Sequence, residues 1–114
     1  MQDCVFCRIV AGQIPAKKVF ENDAVLAFDD LNPTAPVHVL VVPKRHIETL
    51  NDASPSDTAL LGQLLLAAKA VARERNLTQT GYRAVINTMA GAGQVVMHVH
   101  MHVIGGRDLG WPPG

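Results

Sequence analysis

The chain has 114 residues, enough to bury one core and too few for a second. Ten basic and ten acidic side chains leave a formal charge of zero, which excludes a global field that recruits nucleic acid or a membrane surface; any phosphate recognition must be local. No apolar stretch is long enough to cross a bilayer and no basic leader precedes one, so a soluble, cytoplasmic protein is expected.

The first element in chain order is a short helix over Cys4 to Val10, stopped by Ala11-Gly12. It carries Cys4 and Cys7, a Cys-x-x-Cys pair too closely spaced for a structural staple and lacking the βαβ context of a redox pair. Two readings remain: half of a tetrahedral zinc site, or two small hydrophobes on a helix. Pro15 restarts the chain in extended form. Val19 to Glu21 and Val25 to Asp29 flank Asn22-Asp23 and predict a hairpin. Asp29 and Asp30 close it, either as acceptors for a ligand's hydroxyls or as a solvated turn. Val37 to Val42 is apolar except for His38 and predicts a buried central strand, and His46 follows the basic pair Lys44-Arg45.

The strongest helical pattern runs from Ser54 to about Arg75. Ser54 is placed to cap it, Pro55 suits the first helical position, and Asp57 lies in the first turn, where the helix dipole favours a carboxylate. Leu60, Leu61, Leu64, Leu65, Ala68 and Val71 form one stripe, and Asn76 marks the end. Tyr82 to Asn87 predicts another strand. These elements together predict an α+β fold in one domain, an antiparallel sheet covered by one long helix and a short N-terminal helix.

The run His98-Val99-His100-Met101-His102 carries the most chemistry. On a strand, alternate residues share a face about 7 Å apart, so three imidazoles line one groove while Val99 and Met101 face away. Such a face can be structural, can chelate a metal, or can divide nucleophilic and acid/base work among its rings; spacing alone does not choose. Gly91, Gly93 and Gln94 precede the run, where small residues let backbone N–H groups approach a phosphate. Trp111, in the closing Trp-Pro-Pro-Gly, is placed to cover an apolar edge, a bound base or a partner subunit.

Cys-x-x-Cys, Ala27-Phe28-Asp29-Asp30, Ala35 to Lys44 with His38 inside it, Asn87, Gly93-Gln94, His98 to Val103 and Trp111 to Gly114 occur in an order that resembles the histidine triad nucleotide-binding family. The closing segment resembles its purine nucleoside phosphoramidase branch. The resemblance implies hydrolysis of the P–N bond of nucleoside 5′-phosphoramidates through a nucleotidyl-histidine, releasing a nucleoside monophosphate such as AMP. His100 would be the nucleophile, His102 would contact the phosphate, and His38 would orient the network. Asp30 would bind the ribose, with Leu31 beside it, and Asn87 the ribose-phosphate region. Gly93, Gln94 and Val95 would complete the nucleotide site together with His100 and His102. Val95 stands where this branch commonly has a small hydroxyl residue, so a side-chain donor to the phosphate or leaving nitrogen is lost.

The same resemblance implies no cofactor for catalysis, a structural zinc held by Cys4, Cys7, His46 and His98, and a homodimer whose sheets join or pack across a two-fold axis. Two other functions stay open: a nucleotide-binding regulatory module with little turnover, and a metal-dependent hydrolase that uses the triplet as ligands.

Overall fold

The structure is a computed structural model describing residues 3–114. Five strands, β1 (Lys18–Glu21), β2 (Val25–Asp29), β3 (Val37–Pro43), β4 (Tyr82–Ile86) and β5 (Met101–Gly105), form one antiparallel sheet in the order β1-β2-β3-β5-β4. Helix α1 (Val5–Val10) and helix α2 (Thr58–Glu74) cover its two faces, which is the expected α+β arrangement.

The predicted hairpin forms because Asn22 turns the chain with its own side chain. Its Oδ1 accepts the N–H groups of Ala24 and Val25, each at 2.9 Å. β3 is central and buried along nearly its whole length, which explains a run that lacks the alternation of a one-sided strand. On one face Val25, Ala27, Val39, Val41, Met101 and Val103 meet Leu64, Ala67, Ala68 and Val71 of α2. On the other, Leu26, Phe28, Leu40 and Val42 meet Phe6 and Ile9 of α1. Phe6 and Phe28 touch edge to face, with ring centroids 5.7 Å apart.

The long helix begins as the sequence predicts. Ser54 is extended, its N–H donates to the Asp57 carboxylate at 2.9 Å, and Pro55–Asp57 makes one 3₁₀ turn before the α-helix proper. The Ser54 N–H, and then the Arg45 guanidinium paired with Asp57, hold that carboxyl below its ordinary pKa. At the other end Asn76 takes φ +62°, and the Leu77 N–H reaches back to the Ala72 carbonyl at 2.8 Å. Arg75 then grips both oxygens of Asp29, at 2.9 Å each, tying the helix end to the end of β2.

The histidine run departs from expectation in one respect. Only Met101 and His102 of it lie in a ladder, because β5 begins at Met101. The Val99 N–H is drawn instead to the Ile47 carbonyl, at 2.7 Å, away from the sheet. The alternation nevertheless holds. Val99, Met101 and Val103 join the α2 side, and the rings of His98 and His100 both lie against Phe6 of α1. Trp111 is 83% exposed, so the apolar-edge reading fails within this chain.

Leu64 has no exposed surface and joins α2 to the sheet. Leu64→Ala is expected to lower the free energy of urea unfolding by about 2–5 kcal/mol, through lost transfer energy and the cavity left behind.

Candidate active site and metal centre

The β3–β5 register positions the reactive face. His38 lies opposite Ile104 and His102 opposite Leu40, so the two histidines are diagonal neighbours on the α1 side. Their rings meet with His38 Nε2 2.8 Å from His102 Nδ1. His100 stacks next along the run, its centroid 5.0 Å from that of His102 and 5.1 Å from that of Phe6.

The partners of these rings assign their protons. The Thr34 backbone N–H donates to His38 Nδ1 at 3.1 Å, so the neutral ring carries its proton at Nε2 and donates it to His102 Nδ1. His102 therefore keeps its own proton at Nε2. His100 Nδ1 faces the His98 carbonyl at 2.7 Å, and a carbonyl only accepts, which leaves the His100 lone pair at Nε2. One ring thus offers a lone pair and its neighbour an N–H. Asp30 adds a negative charge at the base of the chain, its Oδ2 3.4 Å from His38 Nε2. Burial, then the proximity of His100 and His38, push the His102 imidazole down to about 4, against a smaller upward pull from Asp30.

His98 belongs to a different centre. Its Nε2–H donates to the Pro43 carbonyl at 2.8 Å, so the Nδ1 lone pair faces the cysteines. Cys4 Sγ lies 3.3 Å and Cys7 Sγ 3.6 Å from it, and Cys7 Sγ lies 3.3 Å from His46 Nδ1. A tetrahedral zinc with ordinary Zn–S and Zn–N bonds has S···N edges of about 3.6 Å. The four ligand atoms all lie within 4.8 Å of one another, so the donor set fits that ion. Burial, then the Cys4 thiol, raise the Cys7 thiol above its ordinary pKa, a cost that a divalent cation would offset.

This division corrects the chelating reading of the triplet. Among the described residues, no group of facing ligand atoms contains all three histidines: His98 joins the cysteines, and His102 joins His38 and Asp30. The second group is better suited to proton order than to metal. A cation on His38 Nε2 would require the ring proton at Nδ1, where the Thr34 N–H already points.

Other expected site residues divide in the same way. Asp29 is taken by Arg75, leaving Asp30 as the carboxylate beside the histidines. Leu31 and Val95 are open to solvent at 94% and 88% exposure, and Asn87 is half-buried beside Gly93. Three N–H groups of the glycine turn are used within the turn itself. The N–H groups of Ala92 and Gln94 bond the Met89 carbonyl, and that of Gly93 bonds the Ala90 carbonyl. The Gln94 side chain braces this loop: its Oε1 accepts the Met89 N–H at 2.8 Å, and its Nε2 donates to Glu48 and Val96 carbonyls. Thr34, Pro43 and Phe6 were not visible as site residues, since two act through backbone atoms and the third looks like any core aromatic.

Residues 11–109 match the HIT domain. An uncharacterised HIT-like protein of Synechococcus elongatus is 51% identical over 113 residues, spanning 99% of this chain and 98% of its own. Protein HitA of Neisseria gonorrhoeae is 42% identical over 105 residues, covering 92% and 97%. Among solved structures, a HIT family hydrolase from Legionella pneumophila superposes with a TM-score of 0.96 at 48% identity, covering 98% of this chain and 100% of that one. A histidine triad nucleotide-binding protein from Candida albicans gives 0.83 at 34% identity, covering 96% and 83%. The fold and the paired rings define a histidine-centred α+β domain. The chain belongs to the HIT, or histidine triad, family.

The His102 ring is expected to titrate with a midpoint near 4 when followed by imidazole NMR, against 6.5 for an ordinary histidine. Between those values the unfolded chain binds a proton that the folded chain refuses, so the contribution of His102 to stability falls as pH drops through that window. A midpoint near 6.5 would contradict this environment.

Proposed function

We propose that this protein hydrolyses purine nucleoside 5′-phosphoramidates, such as adenylylated amines, in two steps through a nucleotide carried on His100. The observation that carries the reading is the His100 Nδ1–H held by the His98 carbonyl, beside a neutral His102 whose Nε2–H is free of the relay. A lone pair and a donor side by side suit attack on phosphorus. His100 Nε2 forms the N–P bond, the P–N bond to the amine breaks with its electron pair passing to nitrogen, and that nitrogen takes a proton from solvent as the neutral amine leaves. His102 donates to a phosphoryl oxygen as charge gathers there. Water then cleaves the nucleotidyl-histidine, releasing the nucleoside monophosphate and the neutral ring.

Asp30 and Leu31 would lie at the ribose and Asn87 at the ribose-phosphate junction, with the braced Gly93-Gln94-Val95 turn shaping the phosphate side. The HIT hydrolase and nucleotide-binding proteins among the similar structures support this class of chemistry. A zinc held by Cys4, Cys7, His46 and His98 would be structural, joining α1 to the segment before β5. A homodimer would cover Leu65, Leu66 and Tyr82, all exposed apolar side chains.

His100→Ala is expected to lower turnover of an adenosine phosphoramidate by several powers of ten while AMP still binds. Rapid-quench mass spectrometry of the parent should locate AMP on the peptide containing His100. An adduct elsewhere, or near-normal turnover in the variant, would refute the role. Elemental analysis of the untagged chain is expected to give about one zinc per subunit. Changing Cys4 and Cys7 to Ser should lower both metal content and melting temperature, and protein that lacks zinc at unchanged stability would remove the ion from the account.

A further inference from the structure

The residues that close β5 reach back to the relay from the opposite side. Gly106 adopts φ +90°, and a Cβ there would come within 2.9 Å of Pro36 Cβ, so the missing side chain lets the turn and the loop before β3 lie in contact. Arg107 follows. Its Nη2 donates to the Thr34 carbonyl at 3.0 Å and its Nη1 to the Asp108 carbonyl at 3.0 Å. The Gly106–Pro36 approach and the Arg107–Thr34 bond bear on the connection between β2 and β3, the same connection whose Thr34 N–H orders the protons of the histidines, while the Asp108 contact stays within the segment after β5.

We propose that Gly106 and Arg107 are positioning residues for the His38–His102 relay, holding the Thr34 amide on His38 Nδ1. The consequence at the reaction centre is a matter of polarity. With the Thr34 N–H in place, His38 Nδ1 must accept, Nε2 must donate, and His102 is left with an outward N–H. Without it, His38 can move its proton to Nδ1. Its Nε2 then accepts from His102 Nδ1–H, and His102 presents a lone pair where the phosphoryl oxygen needs a donor. Asp30 Oδ2, 3.4 Å from His38 Nε2, also favours the first arrangement, so loss of the latch mixes the two states rather than exchanging them. The Thr34 hydroxyl lies 3.4 Å from His38 Nδ1 and moves with the same loop.

The kinetic part of this inference rests on the phosphoramidase reading; the proton positions do not. The test uses the full chain with ¹⁵N-labelled histidine at pH 8, comparing the parent with Arg107→Ala, Arg107→Lys and Gly106→Ala, all shown to be folded by melting temperature and gel filtration. Long-range ¹H–¹⁵N correlation of the parent should show His38 protonated at Nε2. In Arg107→Ala the two His38 nitrogens should shift toward an averaged pattern. Its kcat on an adenosine phosphoramidate should fall about three- to tenfold, the factor one ordinary hydrogen bond is worth, with KM changed less than about twofold. Lysine, which can still reach one carbonyl, should recover part of both signals. Gly106→Ala should give the larger effect, because both its φ and its contact with Pro36 must give way; if it does not fold, the two Arg107 variants decide. A parent-like His38 pattern in Arg107→Ala would overturn the proposal whether kcat fell or not, since a fall without a change of tautomer would make Arg107 a substrate contact. A parent without turnover would instead refute the phosphoramidase reading and leave the NMR comparison to judge the latch.

Discussion

Leu40 opposite His102 in the β3–β5 ladder is the register on which the reactive face depends. Side chains alternate along a strand, so a slip of one residue would send His38 and His102 to opposite faces and break the 2.8 Å contact between their rings. The slip would also carry Met101 and Val103 away from α2, where they pack with Val39 and Val41. Hydrophobic burial on one face thus enforces hydrogen-bond geometry on the other. The site gains precision from a core it does not touch.

Neutrality is the second theme of the face. A chain of imidazoles could repel itself if each ring were charged, and taking charge into a half-buried site is costly. Backbone groups fix which nitrogen of each ring carries the proton. A carbonyl orients His98, another orients His100, and an amide orients His38. His102, hydrogen-bonded to His38 and set against the His100 ring, is pushed down to about 4 by burial first and by those two neighbours next. It acts as a hydrogen-bond donor without becoming a cation across the whole neutral range.

Much of this architecture was legible in the sequence. The apolar run around His38 marked the central strand, Ser54-Pro55 and Asn76 bracketed the long helix, and the alternation of His98 to His102 put three rings on one side. The spacing of the triplet could not reveal that His98 serves the cysteines while His100 and His102 serve each other. That division is made by Val99 leaving the ladder for the Ile47 carbonyl and by the Pro43 carbonyl taking one nitrogen of His98. Backbone donors and acceptors have no residue code, so Thr34 and Pro43 stayed silent. Gln94 had a code that showed less than its role: its letter beside glycines does not reveal that its buried amide holds the loop together. As letters Asp29 and Asp30 are alike; the resemblance singles out Asp30, and in the fold Arg75 occupies Asp29.

Helix α1 has six residues, too few to persist alone in water, so it exists only while docked. Phe6 and Ile9 supply the apolar part of that docking, and Phe6 is also the wall against which His98 and His100 rest. Cys4 and Cys7 sit on the same short segment. A cation held by all four ligands would bind only the docked form and would favour it by mass action. The docking of α1 and the assembly of the four-ligand set are therefore one equilibrium, since Cys4 and Cys7 meet His46 and His98 only while Phe6 and Ile9 are seated.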